Sequence, residues 1–190
     1  DEVAMNIYEH KPVLENDVFL IREIQNSDFE DLFSVYSDKN ALPYFNSDNC
    51  DGDIFYYSTR EKMNQALAFW KEAYENRWFA RLAVEDKILS EVIGTVEFCL
   101  RVSDDEFNQS SILRVDVRSD YEVESKLVSV LTLAGSVAAE LVGGKNVITK
   151  IPVYAVERIN AAENAGFKKS DSCLIGKNGY AYDNYWVLSQ

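Results

Sequence analysis

Hydrophobic and polar positions recur with two different periods along this chain, and the change of period is clearest between Ile112 and Ile151. Over Ile112–Val117 the side chains of Leu113, Val115 and Val117 fall on one face and those of Arg114 and Asp116 on the other, the two-residue period of a strand. From Tyr121 onward Leu127, Val130, Leu131, Ala134, Val137, Ala138 and Leu141 recur at steps of three and four, one stripe of a helix. Gly143-Gly144 ends that helix, and Val147–Ile151 reads as a further strand closed by Pro152. Strand, crossover helix and strand predict a right-handed βαβ unit with parallel strands. The turn between Val117 and Leu127 is the place in it for a nucleotide-like ligand.

The same periods organise the flanks. Val18–Arg22 predicts a first strand, and Ser27-Asp-Phe-Glu30 has capping-box spacing ahead of a helix that turns Phe29, Leu32, Phe33 and Tyr36 inward. A polar loop with Pro43 and Gly52 covers Asp38–Asp53. Its Ser47-x-Asn49-x-Asp51-Gly52 echoes a calcium loop, but Ser58 stands where the bidentate glutamate belongs, so it reads as a turn. Thr59–Asn76 predicts a second helix with Met63, Ala66, Leu67, Trp70 and Tyr74 buried. Phe79–Glu85 and Val92–Leu100 predict two strands around the charged turn Glu85-Asp-Lys87, with Gly94 marking a close backbone approach or a bulge. Ser119-Asp-Tyr-Glu122 is a second capping box, before the long helix. Val156–Ala165 predicts a short helix ended by Gly166-Phe167, and Lys168–Ile175 with Tyr180–Leu188 a hairpin across Gly176–Gly179. The total is about seven strands and about four helices, an α/β (α+β) pattern.

Composition narrows the class. With 190 residues, 47% of them hydrophobic, the chain fits one globular domain over residues 13–190, and Asp1–Pro12 is set aside as a disordered or extraneous segment. No apolar run is read as long enough to cross a bilayer, so no membrane partner is expected. A net charge of −13 removes the basic face that nucleic-acid binding needs and favours cationic partners such as amines. Cys50, Cys99 and Cys173 are odd in number and form no CxxC pair, which predicts reduced thiols and a cytoplasmic location. His10 is the single histidine, so neither a Ser-His-Asp constellation nor a zinc or iron ligand set can be assembled, and no metal is expected.

The order of elements from Val18 to Leu188 resembles the general-control-related N-acetyltransferase (GNAT) superfamily, most nearly its branch acting on ribosomal-protein N-termini and similar amines. The local marks are Leu20-Ile-Arg22 followed by Ser27-Asp28, the strand Val92-Ile-Gly-Thr-Val-Glu97, and Glu163-Asn-Ala-Gly-Phe167, similar to the family's E-K-x-G-F helix ending. The resemblance implies a mixed central sheet whose two parallel strands splay apart, and transfer of an acyl group from acetyl-CoA or another acyl-CoA to a primary amine. The acceptor is then a small molecule or a peptide N-terminus, and a homodimer is one form the protein can take. It also implies that backbone groups of Val115 and Val117 hold the pantetheine arm, and that the turn from Val123 through Glu124, Ser125 and Lys126 to Leu127 wraps the pyrophosphate.

Several residues depart from that pattern. Val123–Leu127 holds no glycine, and Asp120, Glu122 and Glu124 put carboxylates where an anion would dock, against Arg118 and Lys126. In the last helix Ala155, Arg158 and Ala162 replace the family's asparagine, serine and tyrosine, with Asn160 and Tyr154 as displaced counterparts. Phosphate contacts then fall to Arg118, Lys126 or Lys145. Asp116 and Glu97 are candidate bases and Tyr154 a candidate acid; the alternative for Asp116 is a solvated carboxylate paired with Arg114 or Lys150. Tyr182 and Tyr185 are candidate pocket walls or sheet packing. Two functions follow: an N-acyltransferase with a modified donor loop, or a catalytically degenerate GNAT-fold binding or interaction module that does not use acetyl-CoA.

Overall fold

A computed structural model describes residues 5–190. Its strands are β1 (Leu14–Glu15), β2 (Phe19–Arg22), β3 (Ala80–Asp86), β4 (Glu91–Leu100), β5 (Ser111–Val117), β6 (Asn146–Lys150), β7 (Lys168–Lys169), β8 (Leu174–Ile175), β9 (Ala181–Tyr182) and β10 (Tyr185–Ser189). Four α-helices accompany them: α1 (Phe29–Tyr36), α2 (Arg60–Glu75), α3 (Glu124–Val142) and α4 (Val156–Asn164). Eight strands form one sheet in the order β1-β2-β3-β4-β5-β6-β10-β7, and β8 and β9 make a separate small hairpin. Only β5 and β6 are parallel; their connection is α3, as the βαβ pattern requires.

The sheet separates two cores. Val96 and Phe98 of β4, with Leu113, Val115 and Val117 of β5, face α3 and α4; before the register slip the β4 phase is reversed, so Ile93 joins this core and Val92 the other. The other face meets α1 and α2 through Leu32, Val35, Tyr36, Met63 and Trp70. Nineteen residues with a mean hydropathy of 1.5 make α3 long and apolar enough to cross a bilayer, contrary to the sequence expectation. Its stripe of Leu127, Val130, Leu131, Ala134, Ala138 and Leu141 is buried in the core. Gly143, at φ 72°, ends it in the left-handed conformation.

Gly94 marks both features that sequence offered as alternatives. A Cβ there would stand 2.0 Å from the Asp116 carbonyl oxygen, and the β3–β4 register slips beside it, between Val84 and Glu85.

Four expectations change. Of the Asp1–Pro12 segment, the first four positions lie outside the described residues. From Asn6 the chain is packed: Ile7 is fully buried, its amide donates to the Leu141 carbonyl (2.9 Å), and its carbonyl accepts the Tyr74 hydroxyl (2.7 Å). Neither capping box forms as predicted. Asp28, not Glu30, reaches back, to the Gln25 amide (2.7 Å), and the Arg22 guanidinium clasps the same carboxylate at 2.9 and 3.0 Å. Ser119–Tyr121 is a 3-10 turn, Val123 is the N-cap of α3, and Glu122 faces away to an arginine. Finally, the terminal hairpin is broken: Asn184 at φ 63° separates β9 from β10, and β10 pairs with β6 and β7.

Candidate functional site

β5 and β6 are bonded only at Ser111–Val147 and Ile112–Ile148. Beyond that the Thr149 hydroxyl donates to the Leu113 carbonyl (2.8 Å), and the Ile151 amide turns to Asn184 on the far side of β6 (3.0 Å). Pro152 then removes a further donor. The strands therefore part toward their C-terminal ends, which leaves the Val115 carbonyl without a strand partner.

Arg158, on the first turn of α4, fills that gap. Its Nη1 donates to the Val115 carbonyl (2.8 Å), while Nε and Nη2 form a bidentate pair with Glu122, both at 2.7 Å. Arg158 is 3% exposed. Burial alone would lower its pKa; the charge and hydrogen bonds of Glu122 reverse that and hold the guanidinium above its ordinary value.

The next residue back, Glu157, reaches the start of α3, where its Oε2 accepts the Glu124 amide (2.8 Å). Lys126 and Leu127 bond back to the Val123 carbonyl, and the Val123 and Ser125 amides have no partner among the described residues. Asn164 holds the Glu124 side chain at 2.8 Å. Asp38 accepts the Ser119 amide (2.8 Å), and Arg118 is taken by Asp120 (2.7 and 3.0 Å) and Glu91 (3.4 Å). Lys126 has no ion pair among the described residues and stands 6.0 Å from the Tyr121 ring centroid. Lys145 follows the other end of α3, roughly 28 Å away at 1.5 Å per residue, and cannot serve this site. Asn160 is one turn along α4 from Glu157 and half-buried.

Acyl-CoA does not fit this arrangement as it stands. An entering amide finds the Val115 carbonyl taken by Arg158, and a pyrophosphate finds the Glu157 carboxylate on the helix end with Asp38, Asp120 and Glu124 around it. Val123 adds a Cβ where a close backbone approach is needed.

Asp116 and Glu97 lie on the opposite sheet face and are neither solvated nor free. Arg81, the residue that sequence reasoning passed over, joins them from β3. Its Nη1 contacts Asp116 (2.8 Å), Tyr36 (2.9 Å) and Thr95 (2.8 Å), and its Nη2 contacts Glu97 (2.8 Å). Tyr36 donates to Asp116 at 2.7 Å, and Arg114 completes the pairing of Glu97. Arg81 and the two carboxylates are all at most 6% exposed. Burial would raise the Glu97 pKa, but Arg114 and Arg81 bring it below the ordinary range. The partner of Asp116 is thus Arg81 rather than Arg114 or Lys150, and both carboxylates are held in one buried hydrogen-bonded network. An arginine on the buried face of a strand was the available signal.

Beside the end of β6, on this same face, a cavity of about 430 Å³ is walled by the Leu42–Asp48 loop and by Pro152–Tyr154. Asp48 lines it, with Oδ2 held by Lys150 (2.8 Å) and the Tyr185 hydroxyl (3.1 Å). Among the described residues no donor is bonded to its Oδ1. Arg114 pins the loop by donating to the Asp48 carbonyl (3.2 Å). Tyr154, 58% exposed, forms the rim, its hydroxyl donating to the Pro43 carbonyl. A larger cavity of about 710 Å³ lies between α2 and the β2–α1 connection, at the opposite end of the sheet from the start of α3.

Compared by sequence, the chain matches no protein-family model and no curated protein. Compared by structure, it resembles a GNAT-family acetyltransferase from Bacillus anthracis over 94% of this chain and 98% of that one, at a TM-score of 0.68 and 12% identity. Ribosomal-protein-S5-alanine acetyltransferase from Vibrio fischeri aligns over 95% and 96% of the two chains, with a TM-score of 0.66 and 15% identity. Spermidine N-acetyltransferase from Vibrio cholerae, solved with CoA and spermine, aligns over 90% and 93%, with a TM-score of 0.61 and 12% identity. The architecture is the GNAT fold, with the mixed sheet and parallel central pair expected from sequence.

Proposed function

We propose that this GNAT-fold chain is an N-acyltransferase that moves an acyl group from an acyl-CoA thioester to a primary amine. The observation that carries this is the parted β5–β6 pair with a cavity beside it that the Asp48 carboxylate lines. No neighbouring strand needs the Val115 carbonyl, and Asp48 offers a free carboxylate oxygen to an ammonium group. Structural neighbours with small-molecule and ribosomal-protein acceptors support amine acceptors in general. The thioester supplies an activated carbonyl when bound. The chain supplies the rest: Asp48 holds the ammonium, Lys150 and Tyr185 fix Asp48, and Tyr154 covers the rim. A net charge of −13 adds a long-range attraction for polyamines or basic N-termini.

A second reading, an amine-binding module that never takes acyl-CoA, is favoured by one observation: Arg158 and Glu157 stand where the donor must lie. A melting-temperature titration separates the two. At a hundredfold excess over its dissociation constant a ligand stabilises by about 2.7 kcal/mol. For a domain of this size that is a rise of about 5–11 °C. A rise with acetyl-CoA supports the transferase; no rise at millimolar acetyl-CoA, in the wild type and in Glu122→Ala/Arg158→Ala alike, together with a rise from spermine alone supports the module.

A further inference from the structure

What stands in the gap is itself a built device. Arg158 is nearly fully buried, and such a charge is tolerated only with its partners in place. Those partners lie on two separate elements: Glu122 just ahead of α3 and the Val115 carbonyl on β5. Glu157, adjacent in sequence, simultaneously covers the first amide of α3. Both contacts therefore depend on one short stretch, the first turn of α4. From upstream that turn is held by the buried Ala155 and by the Tyr154 hydroxyl on the Pro43 carbonyl, but its N-cap makes no side-chain cap, and Val153 and Val156 are exposed. Its later part is anchored by Ala161 and Ala162, both fully buried. A shift of the first turn alone uncovers the Val115 carbonyl and the Glu124 amide together.

We propose that Arg158 and Glu122 form a latch across the gap between β5 and β6, closed in this structure, whose opening sets the affinity for acyl-CoA. The proposal rests on the acyltransferase reading and adds its regulation. A donor that binds only the open form has its apparent affinity reduced by the fraction of molecules that are open. The absent glycine turn then has a counterpart: the Glu124 amide at the start of α3 is held covered until α4 moves.

The test is calorimetric titration of acetyl-CoA into the full chain, the double variant Glu122→Ala/Arg158→Ala, and Glu122→Gln. The double variant removes both charges, so neither is left buried alone, and Glu122→Gln weakens the clasp while keeping its size. The expected result is binding about tenfold or more tighter in the double variant than in the wild type, with Glu122→Gln in between. If the double variant does not fold, Glu122→Gln decides: tighter binding supports the latch, and equal or weaker binding overturns it. Wild-type binding that the double variant leaves unchanged or weakens overturns the latch while the acyltransferase reading stands. Absence of binding in all folded proteins, at millimolar acetyl-CoA, overturns both.

Discussion

Replacing Arg81 by methionine isolates the charge at the centre of the α1–α2 face, because methionine retains most of the side chain's volume. The side chain has no exposure and faces Asp116, Glu97, Tyr36 and Thr95 at 2.8–2.9 Å. Without it Glu97 keeps Arg114 and Asp116 keeps Tyr36, so each carboxylate is left with part of its compensation. Breaking a buried pair by removing one partner costs about 3–5 kcal/mol. The surviving partners place this case near the lower end, about 3 kcal/mol, or roughly 6–12 °C in melting temperature for a chain of this length. The effect depends on pH with a definite sign. Glu97 has a folded pKa below its ordinary value, so it contributes stability above the ordinary carboxylate range and loses it as pH falls through the folded pKa. Arg81→Met reduces that contribution at neutral pH, while in acid the wild type loses it as well. Thermal melts followed by circular dichroism from pH 7 to about pH 2 should therefore show a gap that is largest at pH 7 and narrows as the pH falls below the ordinary carboxylate range. A gap under about 3 °C at pH 7, or one that widens in acid, would refute the reasoning.

Other perturbations have equally direct readouts. Gly94→Ala drives a Cβ into the Asp116 carbonyl, which is backbone and cannot swing aside; chemical denaturation should show a loss of about 1–3 kcal/mol or more. The Cys99 thiol is pushed up to about 12 by burial and the Glu97 charge. Iodoacetamide labelling at pH 8, read by peptide mass spectrometry, should modify it about a hundredfold more slowly in the native than in the unfolded chain. Asp48→Asn keeps the hydrogen-bonding shape but removes the charge offered to the acceptor. It should raise the KM for an amine by about tenfold and leave acetyl-CoA affinity unchanged in calorimetry; a parallel loss of donor affinity would place Asp48 elsewhere in the mechanism.

The elements legible in the sequence are those set by local period. The β5–α3–β6 unit, α1, α2 and Gly94 all come from spacing, which depends only on which face of one element is buried. The features that escaped are tertiary. Asp28 and Glu122 sit in or beside sequences with the spacing of a capping box, yet arginines distant in the chain or on another element clasp both carboxylates, and such partners are invisible to local pattern. By its position Asp116 is a candidate base, or else a solvated carboxylate paired with Arg114 on β5 or Lys150 on β6. Its partner comes from β3, two strands away, through an arginine on a buried face. The acidic, glycine-free start of α3 is visible in the sequence, but the residues that pack against it and against β5 belong to α4. Arg158 was visible there only as the replacement for a family serine, because neither its reach to Val115 nor its pairing with Glu122 follows from its position in the chain.

The claim that this framework transfers acyl groups to amines is tested most directly by following free thiol released from acetyl-CoA. Spermine and a basic N-terminal peptide serve as acceptors, with the wild type and the Glu122→Ala/Arg158→Ala protein compared side by side. Thiol release that requires the amine, and that is faster in the opened variant, is the predicted result. Folded protein that releases no thiol with any acceptor, in either form, would contradict it.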